Sequence, residues 1–243
     1  MNVVVTAGGT SERIDSVRKI TNSSSGKLGS IIANKLLENS KISKIFYVCN
    51  KEAVLPVQDD RIEIINIQSV DDLQNALENL IKTQKISVVI HSMAVSDYKV
   101  EYVTTTQNLS TILKNKDENQ ISDILSKREA GIDNKDKISS NLDNLFVKLV
   151  PTPKVISKIK QWDKDIFLIG FKLLSNVSHE QLIDVAINLM QKNNCDAVVA
   201  NDLKDISKQN HKAYILTKDN RKINANTKTE IAQILYNLTE TIQ

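Results

Sequence analysis

No hydrophobic run in this chain approaches the roughly 20 residues that a membrane-spanning helix needs. The start, Met1-Asn2-Val3-Val4-Val5, carries neither a basic region nor a small-residue cleavage site. No secretory signal is read there, and a cytoplasmic protein is expected. Cysteine is scarce: Cys49 and Cys195 stand far apart at the ends of apolar segments. That usage excludes a disulfide scaffold and fits buried, reduced thiols in a reducing compartment. Charge of one sign is also missing. Thirty-two Lys and Arg against 29 Asp and Glu leave a net +3, and the lysines are scattered, so no nucleic-acid partner is expected. Only three prolines punctuate the chain, and no repeat period is visible.

What is present is an ordinary globular composition, 41% hydrophobic and 25% charged over 243 residues. That suits one large α/β domain with a sizeable core. "NVVVTAG" (2–8) is a short apolar run ending in glycine, the form of a buried parallel strand. Similar runs recur at 44–50, 62–68, 87–95, 145–150, 166–173 and 196–202. Between them the apolar spacing predicts helices over 26–39, 69–84, 152–162 and 178–193, the first capped by Ser24 or Ser25. Strands alternating with helices indicate a doubly wound, Rossmann-like, mainly parallel sheet covered on both faces. Near the end, Lys218-Asp219-Asn220 separates two alternating runs, which predicts a β-hairpin over 212–225. A final helix follows, with Thr227 and Glu230 placed for a capping box.

Residues 99–136 resist this pattern. They are polar, with helical patches around 109–114 and 120–128. A compact domain rarely carries so long a connection unless it serves as a lid or contact arm. The expectation is one domain over 1–243 with an inserted arm at about 99–136.

Glycine-rich "TNSSSGKLG" (21–29) lies directly before the first helix, where free backbone amides favour anions. It is not a P-loop: counted back from Gly26-Lys27 the first position is Thr21, and Leu28 follows the lysine. Nor is it a dinucleotide fingerprint, because Gly8-Gly9 is widely separated from Gly26 and Gly29. No acid stands at the end of the second strand, where Asn50-Lys51 is found. The residues describe a phosphate site with an extended loop that contains Glu12, Arg13, Asp15 and Arg18.

The whole stretch "TAGGTSERIDSVRKITNSSSGKLG" (6–29) resembles the start of the phosphopantothenate–cysteine ligase family, which forms the second half of a bifunctional coenzyme A biosynthesis protein in many bacteria. The resemblance continues in order through "AVSDY" (94–98), "DKISS" (136–140), "GFK" (170–172) and "VVAND" (198–202). The fused flavin-dependent decarboxylase half is missing, so a stand-alone ligase is implied.

That family joins 4′-phosphopantothenate to L-cysteine through an acyl-nucleotide, using a nucleoside triphosphate with Mg²⁺. Residue by residue, the resemblance implies that Gly8, Ser24, Gly26 and Gly29 wrap the nucleotide phosphates. Asn22 would bind the activated acyl group, and a helix-entry cap is its plainer reading. Ala94 and Asp97 would lie beside the substrate, with Asp97 also reaching the nucleotide. Lys137 would meet the triphosphate, although Ser139 and Ser140 replace the two basic residues that follow it in the family. Phe171 would cover the base, and it fits a core position equally well. Asn201 would contact the nucleotide. Arg18 would reach the phosphopantothenate of a neighbouring subunit, which implies a homodimer. No protein metal ligand is expected. CTP is favoured and ATP is the alternative: "VSDY", "KISS" and "FKL" resemble the ATP users, and Lys192 is one residue out of register with a basic position of the CTP users. A non-catalytic nucleotide-binding protein or a Rossmann-like NAD(P) reductase is the competing class.

Overall fold

The structure, a computed structural model, describes residues 1–142, 144–207 and 210–242. In chain order the first elements are β1 (Asn2–Ala7), β2 (Ser11–Arg13), β3 (Lys19–Thr21), α1 (Lys27–Leu36), β4 (Lys44–Cys49), β5 (Ile62–Asn66) and α2 (Val70–Thr83). Next come β6 (Ile86–His91), β7 (Tyr98–Thr105), α3 (Thr106–Leu113), α4 (Glu118–Ser126), β8 (Leu145–Pro151), α5 (Ile156–Trp162) and β9 (Phe167–Leu174). The chain closes with α6 (His179–Asn193), β10 (Ala197–Asp202), β11 (Ala213–Thr217), β12 (Lys222–Ala225) and α7 (Lys228–Glu240). These elements fall into two compact units: Met1–Thr10, Ser23–Val95 and Lys154–Gln243 form one, Ser11–Asn22 and Ser96–Pro153 the other.

The larger unit is built on an eight-stranded sheet in the order β12-β11-β10-β9-β6-β1-β4-β5. All neighbours from β5 to β10 are parallel, and β10, β11 and β12 pair antiparallel. The fold class expected from the alternating pattern is therefore found. Two apolar layers cover the sheet. One joins Val3, Val5, Ile45 and Val199 to Ile32 and Leu36 of α1 and Ile231 and Leu235 of α7. The other joins Val4, Phe46, Val89 and Leu168 to Leu73 and Leu77 of α2, Ile159 of α5 and Leu182 of α6. Residues alternate between the two layers along each strand, as a pleated sheet requires. Each fully buried side chain of this size contributes about 1.5–3 kcal/mol relative to exposure.

Several local expectations need correction. The 145–150 strand does not join the parallel sheet: β8 pairs antiparallel with β7 in a ribbon of the smaller unit. Strand β8 has no fully buried position, unlike the inner parallel strands β1, β4, β6, β9 and β10. Strand β7 itself lies inside the stretch read as a polar arm, and Tyr102 and Val103 are buried there. Helix α5 starts at Ile156, not at 152. Pro153 biases Thr152 away from helical backbone, and Thr152 instead donates its N–H to Asp97 O (3.0 Å) and its hydroxyl to Ser96 O (2.5 Å). Strand β6 ends at His91, because Ser92 and Met93 turn to bond Thr6. At α7 only half of the capping box forms. Thr227 Oγ1 accepts the Glu230 N–H (3.1 Å), but the Glu230 carboxylate accepts the N–H of Asn226 (2.9 Å), one residue earlier.

Candidate functional site

In the larger unit, parallel strands stand in the sequence β5, β4, β1, β6, β9, β10, so β1 and β6 flank the point where chain order reverses. Ligands of open α/β sheets sit beyond the strand ends at such a point. Here the two strand ends are tied together. Ala94 N–H donates to Gly8 O (2.9 Å) and Thr10 N–H donates to Ala94 O (3.0 Å). Below them Thr6 Oγ1 accepts the Met93 N–H (3.2 Å) and lies 3.0 Å from His91 Nδ1. Burial pushes the His91 pKa down to about 4, so this imidazole is neutral. His91 and Thr6 were missed from sequence. A lone histidine in an apolar strand was the available sign.

Gly8, Gly26 and Gly29 converge on this point although they are scattered in the chain. Gly8 has φ 80° and Gly26 φ 70°, the left-handed region that side chains disfavour. A Cβ on Gly8 would stand 1.9 Å from Asn50 Oδ1. One on Gly26 would stand 2.9 Å from Ala53 Cβ and 3.1 Å from the Gly8 nitrogen. One on Gly29 would stand 2.6 Å from Ala7 Cβ, so α1 lies directly on the end of β1. The expected serine cap does not stand at the N-cap position, and Ser25 Oγ accepts the Lys27 N–H only at 3.4 Å. Gly26 itself is the N-cap of α1, with no side-chain cap bond, and Ser24 Oγ is only in weak contact (3.5 Å) with the Gly26 N–H.

A second strand-end segment braces this loop. Asn50 Oδ1 accepts the Gly9 N–H (3.3 Å), and its amide donates to Glu52 (2.9 Å). Val54 N–H donates to Ser25 O (2.9 Å), and Tyr47 OH donates to Val54 O (2.8 Å). Asn50 stands where dinucleotide folds place a ribose-binding acid, and here its side chain holds the loop.

Phe171 and Asn201 share one face of the sheet, because Phe171 pairs with Val199 and Asn201 lies two residues on. Phe171 is partly buried against the layer that α1 and α7 cover, so its core role is real, and Asn201 is buried at the strand end. The adjacent Asp202 fixes the end of β9. Its carboxylate accepts N–H groups from Asn176 (2.9 Å) and Val177 (2.9 Å). Burial pushes its pKa up, but the N–H groups of Val177, Lys204 and Asn176 outweigh that and hold it at about 2.

The smaller unit contains Arg18, Asn22, Asp97 and Lys137. Ser96 links two of them: its hydroxyl lies 3.4 Å from Asn22 Oδ1, and Asp97 follows it, with Asp97 O accepting from Thr152. Arg18 is organised by Asp15, whose role the sequence left open. Asp15 Oδ1 accepts the N–H groups of Val17 (2.8 Å) and Arg18 (2.7 Å). Its Oδ2 accepts Arg18 Nη1 (2.6 Å) and the Ile138 N–H (3.2 Å). Arg18 Nη1 also donates to Ile138 O (3.2 Å). The Ile138 backbone is thereby clipped to the 15–18 turn, and exposed Lys137 is its immediate neighbour. Arg18 keeps 37% of its side chain exposed.

The backbone N–H of Arg18 is the largest cause that lowers the Asp15 carboxyl from 3.8 to about 2, joined by Val17, Ile138 and the Arg18 side chain against the opposing effect of burial. A lowered carboxyl pKa stabilises the fold above the unfolded value and ceases to do so as pH falls through the folded one. The clip is therefore expected to hold above about pH 4 and to open as the pH falls through about 2. Hydrogen exchange at Ile138 followed through an acid titration checks this. In Asp15→Asn the acid-dependent step should vanish, and an unchanged step in that variant contradicts the assignment.

Among the described residues no group of three or more His, Cys, Asp or Glu is placed to hold a metal ion, and no helix is long and apolar enough to cross a membrane.

A glycine-lined helix N-terminus thus stands at the switch point of a Rossmann-like α/β sheet. The chain matches the family described as DNA/pantothenate metabolism flavoprotein C-terminal domain over residues 1–128 and 127–242, and it belongs to that family. It is 32% identical over 235 residues to the coenzyme A biosynthesis bifunctional protein CoaBC of Thermococcus kodakarensis, covering 96% of this chain and 49% of that protein. The CoaBC of Methanocaldococcus jannaschii is 26% identical over 95% of this chain and 48% of its own length. The chain thus spans about half the length of these relatives. Among solved structures, the DNA/pantothenate metabolism flavoprotein from Streptococcus pneumoniae superposes with TM-score 0.85 at 36% identity, covering all of both chains. The Cab2 H337A variant in complex with phosphopantothenate-cysteine shares the fold, with TM-score 0.68 at 16% identity over 98% of this chain and 86% of that one.

Proposed function

We propose that this chain joins 4′-phosphopantothenate to L-cysteine in coenzyme A biosynthesis, using a nucleoside triphosphate to activate the carboxylate. The convergence of Gly8, Gly26 and Gly29 at the N-terminus of α1 carries this reading. Family membership along nearly the whole chain supports it. A carboxylate oxygen attacks the α-phosphorus, the bond to the β-phosphate oxygen breaks and diphosphate leaves. The cysteine amine then attacks the acyl carbon, loses a proton and expels the nucleoside monophosphate. Positioning and charge neutralisation supply most of the rate.

In this reading the loop of Gly8, Ser24, Gly26 and Gly29 holds the phosphates, with Asp97, Phe171 and Asn201 at the nucleotide. Asn22 donates amide N–H groups to the activated acyl group without a charge that would trap it. Ala94 and Asp97 lie by the phosphopantothenate, and Lys137 meets the triphosphate. The working unit is a homodimer in which Arg18 serves the partner's phosphopantothenate. Mg²⁺ typically binds through substrate phosphates and one or two carboxylates, and in this reading it enters with the nucleotide.

A reaction containing phosphopantothenate, L-cysteine and Mg²⁺, with CTP or ATP in parallel, tests the reading. Mass spectrometry should show the amide product, with diphosphate released only when phosphopantothenate and nucleotide are both present, and faster turnover is expected with CTP. Absence of product while a known ligase works alongside would overturn it.

A further inference from the structure

The C-terminal helix places a second positive helix end beside the first. Strands β10, β11 and β12 are successively antiparallel, so β12 runs in the direction of the parallel set. Helix α7 therefore starts at the sheet edge where β1 ends and α1 starts. Both helices pack on the same sheet face, the one that carries Phe171 and is shared by Asn201. They also run in the same direction and in step. Lys27 and Lys228 are the first residues of the two helices, and the Lys27 charge reaches Lys228. Equally far along each helix, Lys35 Nζ stands 5.3 Å from the Tyr236 ring centroid.

Two ammonium groups at two positive helix ends repel unless an anion lies between them. Lys228 shows this strain: burial lowers its pKa first, and the neighbouring Lys27 lowers it further. The acid in the same turn, Glu230, is engaged in the cap, bonding Asn226 N–H and the Thr227 hydroxyl. An independent feature points to a ligand. His211 is 7% exposed, and its Nδ1 has no hydrogen-bond partner among the described residues. Its peptide N–H donates to Asn226 O (2.7 Å), directly before the α7 cap, and its ring feels the Lys228 charge.

We propose that Lys27, Lys228 and His211 form one anion site across the aligned N-termini of α1 and α7, which takes the polyphosphate chain of the nucleotide. Lys228 is then a phosphate-binding residue that the motif resemblance does not mark. A neutral His211, with its proton on Nδ1, supplies a further donor. The identity of the anion as the cosubstrate's polyphosphate rests on the ligase reading above.

Inorganic triphosphate is the probe, because its binding needs neither phosphopantothenate nor cysteine. Acetylation rates of Lys27 and Lys228, read by peptide mass spectrometry, should both fall severalfold when triphosphate is added. Lys228→Gln should weaken triphosphate binding about tenfold, the lower end for a charge-assisted contact. Lys228→Arg should largely restore it. Protection of Lys27 alone, no protection of either, or wild-type affinity in Lys228→Gln overturns the shared site. Protection of both without amide product in the ligase assay leaves the site standing and removes the ligase reading.

Discussion

Asn22→Ala is expected to lower amide formation by about 10² to 10³, the typical cost of removing one donor that faces developing charge in a transition state. Nucleotide binding should stay near wild type, because the variant leaves Gly8, Ser24, Gly26 and Gly29, which hold the phosphates in this reading, unchanged. The fold should also survive. Asn22 is only partly buried, and its contact with Ser96 is long, 3.4 Å. Single-turnover measurement of product and of diphosphate separates the two steps. Loss of both with retained nucleotide affinity places Asn22 in formation of the acyl-nucleotide, and loss of amide alone places it in the second step. Wild-type turnover in the variant removes Asn22 from the chemistry.

Gly26→Ala is expected to damage both stability and nucleotide binding. A left-handed alanine costs about 1–2 kcal/mol. The new methyl carbon would also stand 2.9 Å from Ala53 Cβ and 3.1 Å from the Gly8 nitrogen. The first contact pushes on the segment that holds Ser25 through Val54 N–H, and the second blocks an amide lining the loop. Together they should lower the unfolding free energy by about 2–3 kcal/mol, combining backbone strain with modest overpacking. The one lost charge-assisted contact would weaken triphosphate binding about tenfold or more. Adding Ala53→Gly removes the carbon–carbon collision only. The double variant should regain stability in part and remain poor at binding, because the Gly8 nitrogen stays obstructed. Thermal melting and triphosphate titration measure the two effects separately. A Gly26→Ala chain with wild-type melting and affinity contradicts the close approach.

Membership of the family was legible from Thr6 to Gly29, because motif residues stand at fixed spacings whatever the fold does around them. The helices and parallel strands were legible for a different reason. Periods of 3.6 and 2 record which face is buried, and caps such as Ser69 on α2 are complete within four residues, where Ser69 and Asp72 exchange bonds. The ribbon of β7 and β8 was not legible: a strand's partner is set by hydrogen bonds to a distant segment, and Leu145–Pro151 carries no sign that it pairs with Tyr98–Thr105.

The same distinction divides the candidate site. From sequence alone came the residue types: glycines before a helix, Asn22, a lysine after the polar stretch, an aspartate at a strand end. The tertiary structure decided which of them meet and what holds them. Gly26, read as part of a serine-capped entry, is itself the cap, because its backbone must pass within van der Waals contact of Gly8 and Ala53. Asp15 was legible only as a charged residue of the motif stretch, with no role attached, yet it clips Ile138 to Arg18, since a buried carboxylate must find donors wherever the fold supplies them. Lys27 and Lys228 lie at opposite ends of the chain, and only two reversals of strand direction bring their helices to the same edge. Local spacing determines what a segment becomes. Which segments share a site depends on the sheet order, which no local spacing encodes.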